Sequence, residues 1–174
     1  MNERGDAPCR VFARGLISVG AVPPLAKNYM NGRYFVDTNI LIYAHDTVAG
    51  EKHDRAKAVV EELWRVGGGI VSTQVLQELC VNLRRKAKRP LDTTATRELI
   101  SDYLTWQVVV NGEDSILAAL DLEERHQISF WDALVVHAAQ TAGADVLYSE
   151  DLSDGQMYGS VRVVNPLLGD RSAA

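Results

Sequence analysis

Four acidic residues stand against an apolar background. Asp37 follows Arg33-Tyr34-Phe35-Val36, and Glu78 lies among Val75, Leu76 and Leu79. Asp132 precedes Ala133, Leu134 and Val136, and Asp151 follows Val146-Leu147-Tyr148-Ser149-Glu150. Carboxylates are seldom buried without partners. If the four meet, each pair at about 4 Å repels by roughly 4 kcal/mol at a moderate effective dielectric. Several such pairs rival the whole stability of a domain, about 5–15 kcal/mol. Convergence therefore requires either protonation, with raised pKa values, or a divalent cation. All-oxygen ligation favours magnesium or manganese over zinc or copper. Held by carboxylates, such an ion activates water and offsets charge on a phosphate, which is the chemistry of phosphodiester hydrolysis.

Each acid also has a plain structural use. Asp37 or Asn39 can cap a helix. Glu78 can pair with Arg85, two helical turns on, or with a nearby lysine. Asp132 suits the positive end of a helix. Asp151 suits a turn in Ser149-Glu150-Asp151-Leu152-Ser153-Asp154-Gly155, where Glu150 and Asp154 read as solvated turn acids and Asp154 as a spare ligand. Asp114 reads as an N-terminal helix acid.

Residues 33–36 are aromatic and β-branched, as in a strand, and Asp37-Thr38-Asn39 open a helix carrying Ile40, Leu41, Tyr43 and Ala44. Residues 51–66 predict an amphipathic helix with Ala56, Val59, Val60 and Leu63 inside, stopped by Gly67-Gly68-Gly69. Ile70-Val71-Ser72 is a strand, and Thr73 caps a helix to about Lys88 with Val75, Leu79 and Leu83 in one row. A helix from Asp92 to about Leu104 and a strand over 107–110 follow. The helix over 114–126 is expected to bury Ile116, Leu117 and Leu120, with Ala119 beside them. Ser129 caps a helix over 130–141, and strands cover 145–148 and 161–164. Strands alternating with helices predict a three-layer α/β/α sandwich around a central parallel sheet. Strand ends and helix N-termini share one edge of such a sheet, which places Asp37, Asp132 and Asp151 together and leaves Glu78 within reach.

The 174 residues fit one domain, and 47% hydrophobic composition suffices for a core. A formal charge of −5 argues against coating nucleic acid by net charge, though not against a local basic strip. No apolar run is long enough to cross a bilayer. Cys9 and Cys80 make no disulfide framework, and a reducing cytoplasm is the natural compartment. His45 and His53 read as surface residues of a helical hairpin. Residues 1–29 mix Gly, Pro and Arg, with Pro23-Pro24 forbidding a continuous helix. They read as a poorly ordered or non-native extension before a single domain over 30–174, with Met30 as the natural first residue.

The run Phe35-Val36-Asp37-Thr38-Asn39-Ile40-Leu41 resembles the opening of a PIN domain, the ribonuclease fold of VapC-type toxins. Gln77-Glu78-Leu79, Ile128-Ser129-Phe130-Trp131-Asp132-Ala133-Leu134 and Val146-Leu147-Tyr148-Ser149-Glu150-Asp151-Leu152 resemble its second, third and fourth motifs, in order, between about Met30 and Pro166. The resemblance implies a magnesium- or manganese-dependent endoribonuclease that acts as the toxin of a type II toxin–antitoxin pair. It further implies a VapB-type antitoxin partner that inserts near the cleft, and a homodimer. On it, Asp37, Glu78, Asp132 and Asp151 are the catalytic, metal-binding acids, Thr38 and Asn39 support the first, and Ser149 supports the last.

The densest basic run, Arg84-Arg85-Lys86-Ala87-Lys88-Arg89, suits a helix C-terminus by its dipole. Arg84, Arg85 and Lys86 equally suit RNA phosphates. Trp106 and Trp131 suit either packing or base stacking. Two other readings stay open. One is a non-catalytic module whose acids hold a basic partner segment. The other is an aspartyl-phosphate phosphatase, disfavoured because Asn39 stands where a general acid is wanted.

Overall fold

The computed structural model describes residues 32–168. The expectations for residues 1–29, and for Met30 as first residue, lie outside the described residues. The elements run β1 (Tyr34–Val36), α1 (Thr38–His45), α2 (Glu51–Arg65), β2 (Ile70–Ser72), α3 (Thr73–Arg85), α4 (Thr93–Tyr103), β3 (Gln107–Val109), α5 (Glu113–His126), α6 (Phe130–Thr141), β4 (Val146–Tyr148), β5 (Met157–Tyr158) and β6 (Val161–Val164). One six-stranded sheet has the order β3-β2-β1-β4-β6-β5. The helices flank it in a three-layer α/β/α arrangement. Every pairing is parallel except β5 with β6. The central sheet is parallel as expected, and one antiparallel edge strand is added to it, β5, whose two residues are too few to leave a pattern in the sequence.

Strand order explains where a site can form. From β1 the chain moves towards β2 and β3, and from β4 it moves the opposite way to β6. Open α/β sheets hold their ligands outside the carboxyl ends of the strands at such a reversal. Asp37 leaves β1 there and Ser149-Glu150-Asp151 leaves β4. β1 and β4 are buried along their whole length, as their continuous apolar runs require.

The core joins both helical layers to the sheet through Phe35, Val36, Leu41, Val60, Leu79, Val136, Leu147 and Val163. Tyr103 and Trp106 are buried with Trp64 packed against them, and the Trp64 and Trp106 ring centroids are 4.9 Å apart. Trp106 is therefore packing rather than a base-stacking platform. It also explains Gly69, where a Cβ would meet the Trp106 ring at 2.7 Å.

Several local expectations need correction. Ser72, not Thr73, caps α3, accepting from the Val75 N–H. Ile116, Leu117 and Leu120 are exposed, and α5 instead buries Ser115, Ala119 and Leu122. The apolar stripe of α5 is broad, and only one side of it meets the protein. His45 and His53 are half-buried and bonded rather than free on the surface. His45 Nε2 lies 2.8 Å from the Tyr103 hydroxyl, and His53 Nδ1 lies 2.9 Å from the Tyr43 carbonyl. Burial lowers the His45 pKa to about 4, with a smaller push from His53.

Candidate active site

Sheet register builds the centre of the site. Val36 pairs with Tyr148, so the next residues on each strand, Asp37 and Ser149, emerge side by side. The Asp37 N–H continues the ladder to the Tyr148 carbonyl at 3.0 Å. The Ser149 hydroxyl donates to Asp37 Oδ2 at 2.7 Å. Asp37 is also the N-cap of α1, its Oδ1 accepting from the Thr38 N–H at 2.6 Å. The capping role and the site role are thus held by one carboxylate.

Asn39 ties the first acid to the fourth. Its Nδ2 donates to Asp151 Oδ2 at 2.9 Å and reaches Asp37 Oδ2 at 3.3 Å. Its Oδ1 accepts from the Glu150 N–H at 3.4 Å. The Asp151 N–H donates to Ser149 Oγ at 3.2 Å, which closes the loop of bonds. Ser149 therefore serves Asp37 with its proton and the Asp151 backbone with a lone pair.

Glu78 enters through α1 as well. The Thr38 hydroxyl donates to Glu78 Oε2 at 2.8 Å, so Thr38 supports Asp37 with its backbone and Glu78 with its side chain. Gln74, buried one turn earlier on α3, donates to Glu78 Oε1 at 3.0 Å and to the Trp131 carbonyl at 3.4 Å. Gln74 thereby joins the helix of the second acid to the first turn of α6. Sequence reading missed it, although a polar residue four positions before Glu78 on an apolar helix was the available signal. Asp132 sits in that first turn, where Ser129 caps the helix at the Asp132 N–H and also donates to Asp132 Oδ2 at 2.8 Å.

The electrostatics centre on Asp37. Desolvation pushes its carboxyl up to about 7. The Ser149 and Thr38 hydrogen bonds oppose this, and the charges of Asp151 and Asp132 add to it. Asp37, Asp132 and Asp151 therefore share one electrostatic neighbourhood, with Glu78 one hydrogen bond away through Thr38. Among the described residues, none of the four acids is in an ion pair.

The donor set, carboxylates with hydroxyl and amide neighbours, has the chemistry of a hard-cation site. Its buried Asp37 charge has no compensating cation among the described residues. As placed, no three His, Cys, Asp or Glu side chains among the described residues form a ready metal-binding group. Asp37 and Asp151 converge on the Asn39 amide, whereas Glu78 and Asp132 bond to neighbouring hydroxyls.

The basic run begins in the last turn of α3, which holds Arg84 and Arg85, and continues past the C-cap Lys86. Arg85 is two turns beyond Glu78 on the same helical face, roughly 10 Å away at 1.5 Å per residue. Arg84 donates to the Thr93 hydroxyl at 3.1 Å. Trp131, beside Asp132, is 61% exposed.

A model of the PIN domain family matches residues 34–153. No curated protein sequence matches the chain. Among solved structures, the VapC20 toxin of Mycobacterium tuberculosis, described as cleaving the sarcin–ricin loop, superposes with a TM-score of 0.50 at 21% identity. The match covers 68% of this chain and 89% of that one. A toxin–antitoxin complex from Klebsiella pneumoniae gives a TM-score of 0.55 at 21% identity, covering 76% of this chain and 97% of that one.

Proposed function

The chain belongs to the PIN domain family, and from that premise we propose that it is a divalent-metal-dependent endoribonuclease, the toxin of a type II toxin–antitoxin pair. The observation that carries this reading is the convergence of the buried Asp37 and of Asp151 on one amide nitrogen, that of Asn39, with neither acid in an ion pair among the described residues. Such a group is accommodated either by holding a proton or by a cation beside it, and the all-oxygen donor set around Asp37 suits a hard divalent cation. The structural likeness to VapC20 and to the Klebsiella complex supports the toxin assignment and a VapB-type antitoxin partner. A cytoplasmic setting fits an RNA substrate.

In this reading Asp37, Glu78, Asp132 and Asp151 would hold magnesium or manganese, which would supply a nucleophilic water and positive charge against the phosphate. The surrounding residues prepare the acids. Ser149 and the Thr38 N–H fix both Asp37 oxygens, Asn39 sets the spacing of Asp37 and Asp151, and Thr38 with Gln74 fixes Glu78. Arg84, Arg85 and Lys86 would draw the RNA backbone towards the face of α3 that carries Glu78.

The test is cleavage of RNA by antitoxin-free protein. Cleavage should require magnesium or manganese, stop with EDTA, and vanish in Asp37→Asn. Metal-independent cleavage, or full activity of Asp37→Asn, would refute the assignment.

One observation favours a second reading. The acids are satisfied by neutral donors, and among the described residues no three of them form a ligand group as placed, which suits a module that accepts a lysine or arginine from a partner. Absence of cleavage under every cation, together with tight binding of a basic antitoxin segment lost in Asp37→Asn, would favour it.

We also propose a homodimer. Ile116, Leu117 and Leu120 project from one side of α5, and such an apolar face calls for a cover.

A further inference from the structure

Lys52, in the first turn of α2, places its ammonium on the carboxylate of Glu150, the residue next to Asp151. The same ammonium is 3.3 Å from the Tyr43 hydroxyl and 4.8 Å from the Tyr43 ring centroid. The Glu150 main chain is tied in turn to Asn39, whose amide nitrogen bridges Asp37 and Asp151. Of the ion pairs among the described residues, Lys52–Glu150 is the one that flanks a residue of the acidic cluster.

Stability does not account for this placement. The Lys52 side chain is 45% exposed, and exposed ion pairs contribute little. Recognition accounts for it better. An acidic cleft on a chain of net charge −5 repels a polyanion. A substrate phosphate adjoining the reacting one therefore needs a cation beside the acids. Lys52 supplies one, with a carboxylate already resting where an anion binds. An ammonium carries three donors, so Lys52 can turn from Glu150 to a phosphate oxygen without leaving Tyr43.

We propose that Lys52 is a substrate-positioning residue that binds a phosphate of the RNA backbone adjacent to the scissile one. In the free protein Glu150 holds the place of that phosphate. The inference rests on the ribonuclease reading above and adds to it a residue that the four acidic motifs do not contain.

The test measures binding of a short single-stranded RNA in EDTA across a salt series, then cleavage in magnesium, for wild type, Lys52→Ala and Glu150→Gln. Lys52→Ala should weaken binding several-fold and reduce the slope of log K against log salt by about 0.7, one phosphate contact on a single strand. It should raise KM more than it lowers kcat. Glu150→Gln, which frees the ammonium, should bind RNA as well as wild type or better. Equal weakening by both variants, with equal loss of thermal stability, would mean the pair merely braces the loop, and would overturn the inference. Unchanged binding by Lys52→Ala, while wild type binds and cuts RNA, would overturn it too and leave the nuclease reading intact. A wild type that neither binds nor cuts RNA would overturn both.

Discussion

Asp37→Asn should stabilise the cation-free protein at alkaline pH, although it alters a buried residue. The Asp37 carboxyl has an ordinary pKa of 3.8, and burial raises it to about 7. Between those values the folded protein holds a proton that the unfolded chain has released. Stability therefore falls as pH rises through the window, and the full penalty is present above about pH 7. A shift of roughly three units corresponds to about 4 kcal/mol at 1.36 kcal/mol per unit. Asn removes the charge and keeps the cap to Thr38. Its amide nitrogen must face both the Ser149 hydroxyl, which has to turn, and the Asn39 amide nitrogen, whose bond is lost, at a cost of about 1–2 kcal/mol. The net gain at pH 8 is then about 2–3 kcal/mol.

His45 works in the opposite sense. Its folded pKa is lowered from 6.5 to about 4, so it contributes stability above pH 6.5 that is lost as pH falls towards 4. In wild type the two slopes oppose each other between about pH 4 and 6.5. In Asp37→Asn the His45 slope should stand alone, and stability should rise with pH. Urea denaturation in EDTA at pH 5 and pH 8 reads both quantities, provided the urea slope m is unchanged. An Asp37→Asn protein less stable than wild type at pH 8, or a stability difference that is the same at both pH values, would refute the burial argument.

Magnesium or manganese should raise the Tm of wild type at pH 8 in a concentration-dependent way and leave Asp37→Asn unmoved; equal shifts in both would exclude Asp37 as a ligand. Gln74→Leu removes a donor from Glu78 and the tie to Trp131, and should cost about 1–2 kcal/mol by denaturation while lowering kcat; unaltered kcat would limit Gln74 to packing. Neutralising Arg84, Arg85 and Lys86 together should lower RNA affinity and flatten its salt dependence by up to about two log–log units; an unchanged slope would remove the run from the interface. Leu117→Glu on the exposed face of α5 should convert a dimer to a monomer in light scattering without loss of fold, and a wild type that is monomeric at high concentration would dispose of the dimer.

The parts legible in the sequence were those fixed by local periodicity. β1 and β4 announce themselves as apolar runs, the first ended by Asp37-Thr38-Asn39, which open α1, and the second by Ser149-Glu150-Asp151, and topology then brings those ends together. What escaped depended on pairings between distant elements. β5 exists because Met157-Tyr158 pairs with β6, and two residues carry no period. The α5 face was misjudged because amphipathicity shows that Ile116, Leu117 and Leu120 form an apolar stripe but not which surface covers it. Sequence neighbours link Thr38 to Asp37 alone, because its contact with Glu78 crosses 40 positions of chain. Lys52 was overlooked because nothing near it in sequence indicates Glu150.

In the proposed mechanism Asp37, Glu78, Asp132 and Asp151 are parts of one cation site. A crystal structure of the protein soaked in manganese, with anomalous scattering data, tests it most directly. The expected result is anomalous density coordinated by Asp37 and Asp151, with Glu78 or Asp132 swung from its hydroxyl partner to complete the shell. Manganese bound elsewhere while the Asn39 bridge between Asp37 and Asp151 stays intact, or a basic side chain seated among the acids in its place, would contradict the claim.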